Sequence, residues 1–184
     1  MSDSLQCRGY HGVGVNDILL QAQAPKGVLY HHFPDGKVEL AVAAIAASVD
    51  AMRSGIERLR ASKPDALAAL KAWLAAAGKR LEASDFERGC PLAAVSLEST
   101  AEDGRLREAL ARAFGDLRTS LAQMLADAGI PHRRATDLAT LMVSAYEGAL
   151  IQSRVAGNSA AVRGTTALLL EVVARELTAA ETMA

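Results

Sequence analysis

The segment GVGVNDILLQAQAPKGVLYHHFPDGKVEL, residues 12 to 40, is the most informative part of this chain about its fold. Its first half carries Val15, Ile18 and Leu19 at the three- and four-residue spacing that gives a helix one apolar face. This spacing predicts a short amphipathic helix that ends before Pro25.

The second half of the stretch predicts another short helix, over residues 26 to 32. Pro25 can stand at its start because the missing N–H of proline has no helical partner in a first turn. The sequence FPDG, residues 33 to 36, ends it. Two short helices, a turn of about three or four residues and a polar, aromatic second helix form a helix-turn-helix unit. The second helix of such a unit is the one presented to a DNA major groove.

The motif K-G-x-L-Y-x-H-F, residues 26 to 33, with Lys37 and Leu40 after it and VNDI before it, resembles the DNA-binding domain of TetR-family transcriptional repressors. The combination is more specific than a bare helix-turn-helix pattern. The resemblance implies a set of groove-facing residues and one phosphate contact. The predicted DNA-binding residues are Pro25, Lys26, Gly27, Val28, Tyr30, His31 and Lys37.

The chemistry of these side chains suits DNA. Lysine ammonium and tyrosine hydroxyl groups bind phosphate oxygens, which position a protein, while contacts to base edges specify sequence. Val28 can contact a thymine methyl group. The alternative is that Tyr30 and His32 cover the small core beside Leu29 and Phe33. We assign Tyr30 to DNA and His32 and Phe33 to the core.

The amino-terminal end departs from the family pattern. TetR-like domains begin with a full helix, but only eight residues precede Gly9, enough for about two turns. We expect a shortened first helix whose residues 1 to 4 fray. Val13 and Gly14 replace the usual hydroxyl residue, which removes a side-chain helix cap and a phosphate hydrogen bond. Both departures predict weakened DNA binding.

Composition favours an all-α protein. Of the 184 residues, 51% are apolar and only 4% aromatic, with abundant Ala and Leu. The net charge is −1 and the pI is near 6.4, so no global basic field attracts DNA. Even residues 1 to 45 hold three Lys or Arg against four acids. The DNA prediction therefore rests on the motif, and we expect weak non-specific affinity.

The sequence disfavours a disulfide framework, a metal site, a membrane span and a signal peptide. Cys7 and Cys90 lie far apart and do not suggest a disulfide framework. His11, His31 and His32 lack the i, i+4 spacing of metal-binding pairs, and no Cys or carboxylate completes a set, so we expect no metal and no cofactor. No apolar run reaches the roughly 18 residues of a membrane span, and no signal peptide is visible. We expect a cytoplasmic protein.

Helical periodicity continues through the rest of the chain. The apolar spacing predicts a long helix from about Lys37 to Arg60, which would act as a lever between two domains. Five further helices are predicted over residues 65–81, 91–98, 106–124, 133–155 and 160–177. The segment GCPLAAVSLE, residues 89 to 98, resembles the LmrA/YxaF-like drug-responsive subgroup of the TetR family.

The last two helices predict a homodimer. The segment LLLEVV, residues 168 to 173, is apolar on more than one side, whereas a helix that packs only on its own chain shows one apolar stripe. One face would pack on the core and another on a second copy with twofold symmetry. The TetR resemblance implies the same dimer.

An effector cavity is predicted in the larger domain, because such pockets are mostly apolar with a few polar anchors. Each glutamate could equally lie on a solvated helix face. The candidate lining residues are Trp73, Glu98, Phe114, Met142, Tyr146 and Glu147.

These observations predict two domains: a helix-turn-helix DNA-binding domain over residues 1 to 45 and a helical effector-binding and dimerisation domain over residues 46 to 184. The predicted function is a ligand-responsive repressor that binds double-stranded operator DNA and releases it when a small-molecule effector binds. The alternative is a dimeric helical small-molecule-binding protein with lost or impaired DNA binding. No catalytic constellation is visible, so we do not expect an enzyme.

Overall fold

The computed structural model describes residues 1 to 183, and this part of the chain contains nine α-helices and no strand. The predicted all-α fold is confirmed, and each helix predicted from periodicity is present within six residues of its expected bounds, the largest difference being at the end of the last helix. The helices are α1 (Ser2–Arg8), α2 (Val15–Gln21), α3 (Lys26–His32), α4 (Lys37–Ser62), α5 (Ala66–Ala83), α6 (Pro91–Glu98), α7 (Gly104–Asp127), α8 (His132–Ala156) and α9 (Ala160–Met183).

The chain forms two compact units that are not contiguous in sequence. The first unit comprises residues 1 to 50 and 89 to 114, and the second comprises residues 51 to 88 and the described residues from 115 onward. The first unit therefore holds α6 and the beginning of α7 as well as α1, α2 and α3. The domain boundary at residue 45 stays a prediction.

The first helix begins closer to the amino terminus than its length suggests. We expected residues 1 to 4 to fray, and this expectation is wrong, because α1 begins at Ser2 and packs on α6. Leu5 is fully buried, and the buried Ser4 hydroxyl donates a hydrogen bond to Gln21 Oε1 at 3.1 Å. Tertiary packing thus stabilises a helix that would be marginal alone.

The start of α2 agrees with the sequence. Gly14 precedes the helix, and no side chain caps it. Val13 is fully buried. The valine therefore contributes to the core of the first unit instead of supplying the hydroxyl cap that the family usually has at this point.

One core assignment in α3 is wrong. Leu29 is buried and Phe33 is half-buried, but His32 is exposed and its ring packs edge-on against His31. Leu29 and Phe33 are four residues apart and share one helix face. His32 lies about 100° around the helix from Phe33, so its side chain leaves the apolar stripe.

The second unit is built from long helices around an apolar core. In it, α8 packs on α9, and both pack on α5. Leu70 and Leu74 of α5, Ala139 of α8 and Val173 of α9 are among its fully buried residues. Within the part of the chain that the structure describes, no helix is long and apolar enough to cross a membrane.

Candidate DNA-binding site

The surface of α3 is the candidate site in the first unit. Leu29 is the buried residue of this helix, while Lys26, Val28, Tyr30 and His31 are exposed. Val28 is 41% exposed and Tyr30 is 50% exposed. A seven-residue helix thus presents a cation, a branched apolar group and two rings to solvent. Pro25 and Gly27, which the sequence also assigned to DNA, are exposed as well, and so is His32, which it assigned to the core.

The turn before α3 fixes the angle between α2 and α3. Ala24 N–H donates to the Leu19 carbonyl at 2.9 Å, and Gln23 N–H donates to the Leu20 carbonyl at 3.1 Å. Gln23 adopts a φ of 52°, an uncommon left-handed conformation for a non-glycine residue. The turn therefore holds α2 and α3 together as the helix-turn-helix requires.

The ring of Tyr30 lies next to the turn at the end of α3. Gly36 has a φ of 64°, and a Cβ placed on it would lie 3.3 Å from Tyr30 Cε1. The close approach of this backbone leaves little room for a side chain at Gly36.

Lys37 is less exposed than the predicted DNA-binding residues of α3. It is half-buried, and its ammonium is 4.3 Å from the centroid of the Tyr10 ring, within cation–π distance. Burial lowers the pKa of Lys37, and the charge of Glu98 opposes this shift. The ammonium is thus engaged inside the first unit, and its phosphate contact stays a prediction.

Acidic side chains near the helix-turn-helix are paired with arginines. Arg8 lies 3.8 Å from Asp17, and Arg105 at the start of α7 lies 2.5 Å from Asp35. The hydrogen bond to Asp35 raises the pKa of Arg105. These contacts offset part of the negative charge that would repel phosphates. Sequence reasoning missed Arg105, since its partner lies 70 residues away along the chain.

Four of the predicted effector residues lie in the second unit. The rings of Trp73 and Tyr146 are 6.5 Å apart, and the buried Tyr146 hydroxyl donates to the Leu74 carbonyl at 2.5 Å. Burial raises the pKa of Tyr146 to about 12. Met142 is buried one turn earlier on α8, and Glu147 is half-buried.

The other two predicted effector residues, Glu98 and Phe114, lie in the first unit. Phe114 is half-buried. Glu98 Oε2 accepts hydrogen bonds from the backbone N–H groups of Tyr10 and His11, at 2.7 and 2.8 Å. Nothing in the neighbouring residues signals this contact apart from Gly9, which marks the turn.

A cavity of about 550 Å³ lies within the second unit, between the end of α4, the start of α5 and the ends of α7 and α9. Arg60 and Asp127 form an ion pair at its wall. None of the predicted effector residues lines it. Among the described residues, no group of three His, Cys, Asp or Glu side chains is placed to hold a metal ion.

Comparison with known families gives two matches that together span most of the chain. Residues 3 to 44 match the family described as bacterial regulatory proteins, tetR family. Residues 66 to 167 match the C-terminal domain of LmrA/YxaF-like transcriptional regulators.

Individual relatives carry the same description. An uncharacterized HTH-type transcriptional regulator of Mycobacterium tuberculosis is 35% identical over 153 residues, covering 80% of this chain and 77% of its own length. The HTH-type transcriptional regulator LmrA of Bacillus subtilis is 29% identical over 154 residues, covering 84% and 82%. These relatives are named as regulators of transcription.

Solved structures show the same fold. The regulatory protein TetR from Rhodobacter sphaeroides superposes with a TM-score of 0.79 at 23% identity, covering 91% of this chain and 92% of that one. A second example, the TetR family regulator CifR, was solved with double-strand operator DNA. It superposes with a TM-score of 0.69 at 23% identity, covering 97% and 92%. With its helix-turn-helix motif and its LmrA/YxaF-like region, the chain belongs to the TetR family of HTH-type transcriptional regulators.

Proposed function

We propose that this chain represses transcription by occupying a specific operator as a homodimer, with α3 of each copy in a major groove. The observation that carries the proposal is the exposed face of α3, where Val28 and Tyr30 are large side chains left uncovered by the rest of the first unit. CifR, which has the same fold, binds a 26 bp operator duplex. This role needs no enzymatic activity and places the protein in the cytoplasm, where the DNA is.

The proposed dimer forms through α8 and α9. Leu141, Ile151, Val155 and Leu168 are between 41% and 85% exposed on these two helices. Exposed apolar side chains on adjacent, otherwise buried helices mark an interaction surface. A dimer through this surface would set two copies of α3 about one DNA turn apart.

The proposed effector binds in the second unit near Trp73, Met142, Tyr146 and Glu147. An aromatic pair beside a carboxylate suits a ligand with an apolar body and a cationic or hydrogen-bonding group. Glu98 and Phe114 belong to the first unit and are left out of this proposed site. The effector releases DNA only if it binds the non-binding conformation more tightly. Because α4 contributes residues to both units, it would transmit that change.

The alternative function, a dimeric small-molecule-binding protein with impaired DNA binding, is favoured by one observation. The N-terminus of α2 has no side-chain cap, so the hydroxyl group that would also contact a phosphate is missing.

The substitution Tyr30→Ala tests the assigned DNA surface. Because Tyr30 is exposed, its loss should leave the fold and the dimer intact while weakening binding to a selected duplex at least tenfold, or about 1.4 kcal/mol. Sedimentation velocity reports the dimer, and fluorescence anisotropy reports DNA binding. Lys71→Ala, at an exposed position of α5, is the matched control. Unchanged affinity of the Tyr30 variant would exclude its assigned role.

The substitution Leu168→Glu tests the dimer surface. A charge placed in an apolar interface carries a large desolvation cost, so the variant should sediment as a single copy. Lys71→Glu places the same charge on an exposed part of α5 and should leave the dimer intact. A Leu168 variant that remains dimeric would show that α9 does not form the interface.

A further inference from the structure

We propose that Glu98 is a positioning residue for operator binding. It acts through the contact, called here the Glu98 contact, between its carboxylate and the backbone N–H groups of Tyr10 and His11. This inference rests on the proposed function, because it concerns how the DNA-binding surface is held.

The turn after α1 forms a small anion site. Gly9 ends α1 with φ 67° and ψ −166°, a conformation essentially restricted to glycine. It turns the next two N–H groups toward a single point, where Glu98 Oε2 accepts both, at 2.7 and 2.8 Å. Successive backbone N–H groups aimed at one point bind an anion. Bonds from N–H donors to an ionised carboxylate are stronger than neutral ones.

The space around this turn is filled by the Glu98 carboxylate. A Cβ placed on Gly9 would lie only 1.8 Å from Glu98 Oε1 and 2.5 Å from its carboxyl carbon. The glycine thus allows the carboxylate to approach the backbone as well as allowing the turn itself.

Two further contacts connect this turn to the DNA-binding helices. The Lys37 ammonium at the start of α4 lies over the Tyr10 ring and within the field of the Glu98 charge. On the other side, the Ser4 hydroxyl of α1 bonds to Gln21 of α2. Glu98 therefore fixes a turn whose flanking helix contacts α2 and whose tyrosine contacts the start of α4.

If Glu98 acted only through its charge, its removal would change DNA binding in the direction opposite to that expected of a positioning residue. Glu98 is a negative charge in a unit that binds a polyanion, so its removal should strengthen DNA binding if charge alone mattered. A positioning role predicts weaker binding, because the turn loses its acceptor and α1 loses a constraint. The direction of the change separates the two roles.

Three substitutions separate the effect of side-chain length from the effect of charge. Glu98→Ala removes both the acceptor oxygens and the charge. Glu98→Asp keeps the charge but is one methylene shorter, so its oxygens should not reach the two N–H groups. Glu98→Gln keeps the reach and an oxygen acceptor but loses the charge. Glu102→Gln is the matched control, since it removes an exposed acid four residues away.

The probe is a duplex that the unmodified protein selects from a random-sequence pool, with binding measured by fluorescence anisotropy. We expect Glu98→Ala and Glu98→Asp to bind about tenfold more weakly, the effect of losing one good charged hydrogen bond. Glu98→Gln should recover part of this loss, and Glu102→Gln should bind within about twofold of the unmodified protein. Hydrogen exchange at Tyr10 and His11 should become faster in the Ala and Asp variants but not in the control.

Several outcomes would overturn the inference. One is a Glu98→Asp variant that binds as the unmodified protein does, and another is a Glu98→Ala variant that binds equally or more tightly. Unchanged exchange at Tyr10 and His11 in a weakened Glu98→Ala variant would also contradict it, because the turn would then not be what was lost. Failure of the unmodified protein to select any duplex would instead contradict the proposed function, which is a distinguishable result.

Discussion

The two units of this chain are built from helices of different lengths. The first unit contains the seven-residue helices α1, α2 and α3, which bury apolar side chains such as Leu5 and Leu29, with the Glu98 contact at the turn after α1. The second unit packs long helices around an apolar core that includes Leu70 and Leu74. Short helices are marginal alone and bury little surface each, so single polar contacts matter more where they are used. The difference predicts where substitutions act.

The largest expected effect is in the core of the second unit. Leu70→Ala removes a fully buried side chain and leaves a cavity, so the free energy of unfolding should fall by about 2–5 kcal/mol. Thermal or denaturant unfolding measures the change. The exposed neighbour Lys71→Ala should stay within about 0.5 kcal/mol. A Leu70→Ala variant as stable as the Lys71→Ala variant would show that this core is not well packed.

The next effect is at the turn of the first unit. Gly9→Ala forces alanine into a conformation that costs about 1–3 kcal/mol, and its Cβ displaces the Glu98 carboxylate. We expect lower stability and weaker DNA binding together. Gly104→Ala, whose Cβ meets no atom within 4 Å, is the control and should change little.

A double-mutant cycle sharpens this prediction. Once Glu98→Ala has removed the carboxylate, Gly9→Ala should weaken DNA binding less than it does in the unmodified protein, since both changes disrupt one contact. Strictly additive effects would contradict the assignment of Gly9 and Glu98 to the same contact.

The smallest effect is at Tyr146 and depends on pH. Tyr146→Phe removes the hydrogen bond to the Leu74 carbonyl and should cost about 1 kcal/mol at neutral pH. In the folded protein the pKa of Tyr146 is raised from 10.0 to about 12, mainly by burial. The unfolded chain therefore loses the tyrosine proton first, and the stability that Tyr146 contributes should decline as pH rises from 10 to 12.

The readout for Tyr146 is the difference in unfolding free energy between the unmodified protein and Tyr146→Phe, followed from neutral to alkaline pH. Other groups that titrate in both proteins cancel in that difference. A difference that stays constant or grows above pH 10 would contradict the burial of this hydroxyl.

The sequence predicted features that depend on neighbouring residues and did not predict contacts between residues far apart in the chain. Helical periodicity placed the long helices, and the K-G-x-L-Y-x-H-F motif located the exposed face of α3, because both signals lie within a few neighbouring residues. The partners of Glu98 lie 88 and 87 residues away, and no spacing rule connects them. His32 was misassigned because chemistry alone suggested a core residue, whereas its angle around α3 directs it to solvent.

The extent of α1 also depends on a contact with a distant part of the chain. The short length of this segment predicts fraying over residues 1 to 4, but α1 packs on α6, and its Leu5 and Ser4 are buried. That partner segment begins more than eighty residues later in the chain. A tertiary contact of this kind overrides a local preference and is invisible to a reading of neighbouring residues.

The most direct test of sequence-specific DNA binding is the affinity of the unmodified protein for its selected duplex and for a scrambled duplex of the same composition, measured by fluorescence anisotropy across a salt series. We expect a preference of about a thousandfold or more for the selected duplex, with affinity that falls steeply as salt rises. Equal affinity for both duplexes at every salt concentration would contradict it and favour a small-molecule-binding protein without operator recognition.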